Sequence, residues 1–113
     1  MERLHSLAWL FRLFLCFALA VILYLALTPE QPVTLGSDDA NHIVAFLVLG
    51  VLGRLGFPRA NVMAVIFPLF AFGVIIEALQ SQMGRDASMD DLVADLIGLA
   101  IASLLTFLMR KAH

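Results

Sequence analysis

Two uncharged apolar runs, residues 62–76 and 96–109, flank a polar stretch, and this pattern limits the possible folds more than any other feature of the chain. The only polar members of the second run are Ser103 and Thr106. Such runs belong in hydrocarbon, where a helix satisfies every backbone N–H and C=O within itself. The stretch between them, residues 77–95, carries more polar groups than a turn between two helices requires. Its outermost acids, Glu77 and Asp95, fall inside the helical spans, where an ionised side chain is costly and therefore points to function.

The composition agrees with this reading. The 113 residues are 62% hydrophobic and 14% charged, against roughly 45–50% and 25% in soluble domains. The chain reads as an integral membrane protein, with residues 1–113 forming a single domain. A net charge of −2, with the basic residues scattered, argues against a polyanion surface, so no nucleic-acid partner is expected. Cys16 is the sole cysteine. It lies within the first apolar run, where it makes neither an internal disulfide nor a paired-thiol metal site.

Four helices are expected, over residues 7–27, 38–56, 61–80 and 88–109. The first is interrupted only by Arg12 and stops at Thr28 and Pro29. It is long enough to span, and the poor cleavage site at its end favours a retained helix over a signal peptide. The second must begin near Asp38 to reach spanning length, which puts His42 inside the span. Gly56, Phe57, Pro58 and Arg59 form a turn. The third helix contains Pro68, a kink that a membrane bundle tolerates. Ser88 with Asp91 three residues later matches a capping box for the fourth helix, whose acids at the start and bases at the end suit the helix dipole. Trp9 and Tyr24 read as interface anchors.

Four spans place both termini on one side. Arg3, Arg12, Arg54, Arg59, Arg110 and Lys111 fall on that side and only Arg85 on the other, so the positive-inside rule predicts cytoplasmic termini. The expected fold is an all-α membrane protein, a four-transmembrane-helix bundle with both termini cytoplasmic in the inner membrane.

In this topology His42, Glu77 and Asp95 lie at similar depth on three helices. Each shares a face with small residues: Gly50 and Gly53 with His42, Gly73 with Glu77, and Gly98 and Ala102 with Asp95. Small residues let helices approach closely, and the repeat of Ala94, Gly98 and Ala102 predicts a central fourth helix. Gln80 joins Glu77, Asp91 joins Asp95, and Arg85 reaches in from the loop. The expected result is a polar pocket open to the outside. The shared depth favours a site at His42 over a plain interhelical hydrogen bond. Ser88 reads more naturally as a cap than as a ligand, and Glu77 with Arg85 fits an ion pair as well as direct ligand contact.

The same residues carry a resemblance. Glu77 and Gln80, then Gly84, Arg85, Ser88, Asp91, Asp95 and Gly98, resemble the signature of the VanZ-like family of small bacterial membrane proteins. Asp38, His42, Phe46 and the Leu49–Gly50 pair resemble that family's other motif. Asp39 stands where the family commonly has lysine, Asp95 where it commonly has asparagine, and Ala102 where it commonly has glycine. The first two make this site more acidic than the pattern. The resemblance implies a multi-pass cell-envelope protein of the type associated with low-level teicoplanin resistance. It implies functional roles for Asp38, His42, Glu77, Gln80, Arg85, Ser88, Asp91 and Asp95.

Two classes of function follow. The first is a non-enzymatic binding protein whose pocket engages a membrane lipid or a lipid-linked precursor. Arg85 grips phosphate, His42, Gln80 and Glu77 hydrogen-bond the headgroup, and a groove between the second and fourth helices takes the tail. The acid excess also admits a cationic headgroup or a divalent metal as ligand. The second is an intramembrane enzyme in which His42, Glu77 and Asp95 or Asp91 bind a divalent metal or act as general acid and base on a lipid-linked phosphoester. No HExxH, nucleophile elbow or P-loop is present in the sequence. A structural role, as a homo-oligomer or a partner in an envelope complex, is a third reading.

Overall fold

The computed structural model describes residues 6–28, 38–82 and 89–112. They form four helices: α1 (Ala8–Leu27), α2 (Asp38–Gly56), α3 (Val62–Gln82) and α4 (Met89–Ala112). The expected boundaries hold within three residues. The side chain of Asn61 sets the start of α3, because its Oδ1 accepts the Ala64 N–H at 2.9 Å and satisfies a donor that the first turn leaves open. Pro68 lies inside α3.

Helices α1, α3 and α4 are each long and apolar enough to cross a membrane, whereas the apolar part of α2, Ala40–Gly56, is shorter. The difference reflects what α2 carries: two aspartates at its start, His42 one turn in, and Arg54 in its last turn. The bundle is 46 Å long, close to the roughly 40–45 Å of a bilayer with its headgroups. Phe17, Tyr24, Phe67 and Phe107 all stand outward and exposed. In water such a surface is an aggregation liability; in lipid it is the normal exterior. Trp9 and Tyr24 are exposed near opposite ends of α1, as interface anchors require.

Four contacts define the helix directions. Arg12, early in α1, donates to the Gly56 carbonyl at the end of α2, so α1 and α2 are antiparallel. Gln80, late in α3, donates to Ala26 at the end of α1, so those two helices run the same way. His42 meets Asp95 and Arg54 meets Thr106, so α2 and α4 are parallel. The chain runs up, down, up, down, and the start of α1 and the end of α4 lie at one end.

The tightest packing joins α2 to α4, and α1 and α4 do not touch. The fourth helix is therefore not the centre that its small-residue repeat predicts. Helix α2 packs against all three others, most extensively against α4 and next against α1. The reason lies in the seam. A Cβ on Gly98 would collide with the Ile43 carbonyl oxygen and come within 2.9 Å of the Leu47 nitrogen, and one on Gly50 would sit 2.5 Å from the Cβ of Ala102. Gly98 and Ala102 of α4 both pack on α2. Leu15, Phe46, Leu49, Val65, Leu69 and Leu99 fill the remaining core.

Candidate functional site

The face of α2 that meets α4 repeats every four residues, as a helix surface must: His42, Phe46, Gly50, Arg54. The facing stripe of α4 reads Asp91, Asp95, Gly98, Ala102, Thr106, Arg110. Because the two helices are parallel and closely seated, their polar ends coincide. His42 Nδ1 lies 2.6 Å from Asp95 Oδ1, and its Nε2 lies 3.9 Å from Asp91 Oδ1. Asp95 is 1% exposed and Asp91 is buried, while His42 is only partly covered. The imidazole is thus held between two carboxylates, with one strong contact fixing the ring and a second carboxylate close to the other nitrogen.

Helix α3 closes over this pair through Gly73. A Cβ there would stand 2.5 Å from Asp95 Oδ2 and 3.1 Å from Phe46, so the absence of a side chain gives the carboxylate its place. Glu77, one turn further along the same face of α3, is half-buried and extends the acidic character toward the end of the bundle. Gln80 points elsewhere. It is buried, and its Nε2 donates to the Ala26 carbonyl at 2.9 Å, which ties α3 to α1. Asp38 opens α2, but its side chain, together with Arg85 and Ser88, lies outside the described residues. The structure thus brings together His42, Asp91 and Asp95, sets Glu77 on the adjoining face, and commits Gln80 to a helix contact.

Among the described residues, the seam between α2 and α4 is closed at Gly50 against Ala102 and at Gly98 against the α2 backbone, which leaves no room for the expected groove at those levels. An apolar cavity of about 460 Å³ lies instead among α1, α2 and α3, lined by Leu15, Leu19, Gly53, Phe57, Pro68 and Leu69 among others. It sits toward the Gly56 end of α2, away from His42. Among the described residues no group of three or more His, Cys, Asp or Glu is disposed to hold a metal ion.

One polar group escaped the sequence reading. Arg54, assigned there to the turn as a topology-setting charge, is 7% exposed. Its Nε donates to Thr106 Oγ1 and its Nη1 to the Ala60 carbonyl, both at 3.4 Å, while Arg110 Nη2 donates to the Arg54 carbonyl at 3.2 Å. The signal was available in the four-residue spacing that puts Arg54 on the stripe of His42, Phe46 and Gly50.

No family model, curated protein or solved structure matches this chain.

Proposed function

We propose that this chain is a VanZ-like protein of the bacterial inner membrane that binds the headgroup of a membrane lipid or lipid-linked precursor at the His42 end of the bundle. The observation that carries the reading is the contact of His42, from one of the two motif stretches, with Asp91 and Asp95, from the other. Two sequence-distant motifs meeting at one partly open position are a site rather than two unrelated features. Its chemistry favours ligands that donate: a cationic amine, or the hydroxyls of a sugar. Carboxylates of Asp91 and Glu77 accept such hydrogen bonds, and their charge, with the buried Asp95 behind His42, attracts a cation.

Charge orients the protein. Eight of the nine acids fall in residues 30–39 and 77–95 of the sequence, and Arg12, Arg54, Arg59, Arg110 and Lys111 lie at the end of the bundle where α1 starts and α4 stops. The basic end is assigned to the cytoplasm and the His42 site to the outer side. A reporter fused after Lys111 then works only as a cytoplasmic reporter, and an active exported reporter there reverses the orientation.

Native mass spectrometry of protein extracted in mild detergent tests the binding reading. Wild type retains an amine- or sugar-bearing lipid, and His42→Ala and Asp91→Asn lose it at normal levels of folded protein. An identical lipid profile in all three rejects the site.

A second reading rests on the 2.6 Å contact itself. A carboxylate that grips one imidazole nitrogen orients the other for proton transfer, the arrangement of a general base and its positioning residue. In this reading His42 accepts or delivers a proton at Nε2 on a lipid-linked phosphoester. Hydrolysis of such a substrate by wild type, lost in His42→Gln, distinguishes it from binding alone.

A further inference from the structure

The other end of the α2–α4 seam holds a cluster that the proposed function leaves unused. Arg54 is buried in the last turn of α2, and Arg110, half-buried in the last turn of α4, donates to its carbonyl. A guanidinium does not shed its proton, so burying it demands compensation. The partners present are a threonine hydroxyl and the carbonyls of Ala60 and Arg54. These are dipoles, and together with the helix C-termini they supply only partial negative charge. Among the described residues the ion pairs of His42 with Asp91 and Asp95 lie at the opposite end, and neither arginine meets a carboxylate. One donor, Arg110 Nε, is buried with no hydrogen-bond partner among the described residues.

Two neighbouring cations, one of them deeply buried, an unsatisfied donor, and no carboxylate partner among the described residues describe a place for an anion. In a bundle 46 Å long that spans a bilayer, the ends of α2 and α4 fall at headgroup depth, and the guanidinium fork matches phosphate oxygens two at a time. We propose that Arg54 and Arg110 form a phosphate-binding site, with Arg54 as its floor and Arg110 as its accessible rim. The anion is the phosphate of a net-anionic lipid headgroup, which unlike phosphatidylcholine carries no choline to compete with the two arginines, or a free phosphate. The site is separate from the His42 pocket and opposite in charge preference.

The test uses the full-length protein in two settings. Melting is compared in nanodiscs of phosphatidylcholine with and without phosphatidylglycerol, and in detergent with inorganic phosphate or chloride at equal ionic strength. Wild type is expected to melt higher with at least one phosphate probe. Stabilisation in nanodiscs alone assigns the anion to lipid, and stabilisation by inorganic phosphate as well shows that the phosphate group suffices. Arg110→Gln removes the shift. Arg110→Lys, which keeps the charge and loses the fork, folds and retains at most a part of it. Arg59→Gln, which removes an exposed arginine in the turn, leaves the shift intact and so separates the site from general surface attraction. The absence of a shift with either probe overturns the proposal, as do equal shifts in wild type, Arg110→Gln and Arg59→Gln. So does a Glu2→Gln variant that loses as much stability as Arg110→Gln without any anion dependence, because the counter-charge is then the chain's own.

Discussion

The two ends of the α2–α4 seam are built by the same device and reach opposite electrostatic states. Parallel helices in one register, locked by Gly98 and Gly50, put His42 opposite Asp95 and Arg54 opposite Thr106. At the first end the burial of charge is answered within the protein, by an imidazole and a carboxylate 2.6 Å apart, a pair that can share or exchange a proton. At the second, the hydrogen bonds of Arg54 are 3.4 Å long and its partners carry no full charge. A close-packed seam thus fixes where polar groups meet, and the residue types decide whether the meeting is self-sufficient. At the acidic end the buried carboxylate has its partner within the chain; at the basic end the described residues give Arg54 only dipoles.

The largest expected effect breaks the device that both ends share. Gly98→Leu drives a side chain into the backbone of Ile43 and Leu47, which cannot turn aside as a side-chain tip can. The cost exceeds the about 1–3 kcal/mol typical of overpacking, and little folded protein is expected on size-exclusion chromatography. A wild-type yield and melting curve would remove the seam from the account. Next comes the acidic end alone. Asp95→Ala leaves the buried side of His42 without its acceptor, for a loss of about 1–3 kcal/mol in detergent unfolding, while the anion response of the basic end persists. Loss of that response in Asp95→Ala would show that the two ends are one cooperative unit.

A smaller effect is expected at the basic end from Thr106→Val. This keeps the shape of a fully buried side chain and removes the acceptor of Arg54 Nε, for about 0.5–1.5 kcal/mol. Ser103→Ala is the smallest and nearly silent, because the Ser103 hydroxyl donates only to the Leu99 carbonyl of its own helix. A Ser103→Ala cost equal to that of Thr106→Val would contradict the assignment of faces on α4.

Much of this fold could be read from the chain because spanning helices announce themselves by length and polarity. The turns at Thr28 and residues 57–61, the polar stretch after Gln80 and the depth of His42 all follow from where apolar runs stop. The convergence of His42 with Asp91 and Asp95 was legible too, since once four spans alternate in direction the starts of the second and fourth must lie at one end. Pairing was less legible. Ala94, Gly98 and Ala102 show that α4 approaches something closely but not what, and a face that serves one partner looks the same in sequence as the face of a hub. Gln80 was misplaced for a related reason. Helical spacing groups it with Glu77, yet it also lies on the stripe of Val65, Leu69, Gly73 and Ile76 that is buried in the bundle, and there its amide found the end of α1. Arg54 was hidden by its position beside a turn, where arginine is ordinarily solvated.

The central claim is that His42 and Asp95 act as one unit, and a double-mutant cycle measures it directly. His42→Ala, Asp95→Ala and the pair are compared with wild type in detergent unfolding, at matched levels of folded protein, with headgroup-lipid retention as a second readout. Contacting residues couple by roughly 0.5–3 kcal/mol. The account predicts that the double variant loses little more than the worse single one, with a coupling of at least about 1 kcal/mol, and that retained lipid falls equally in all three. Losses that sum, in stability and in lipid, would contradict it.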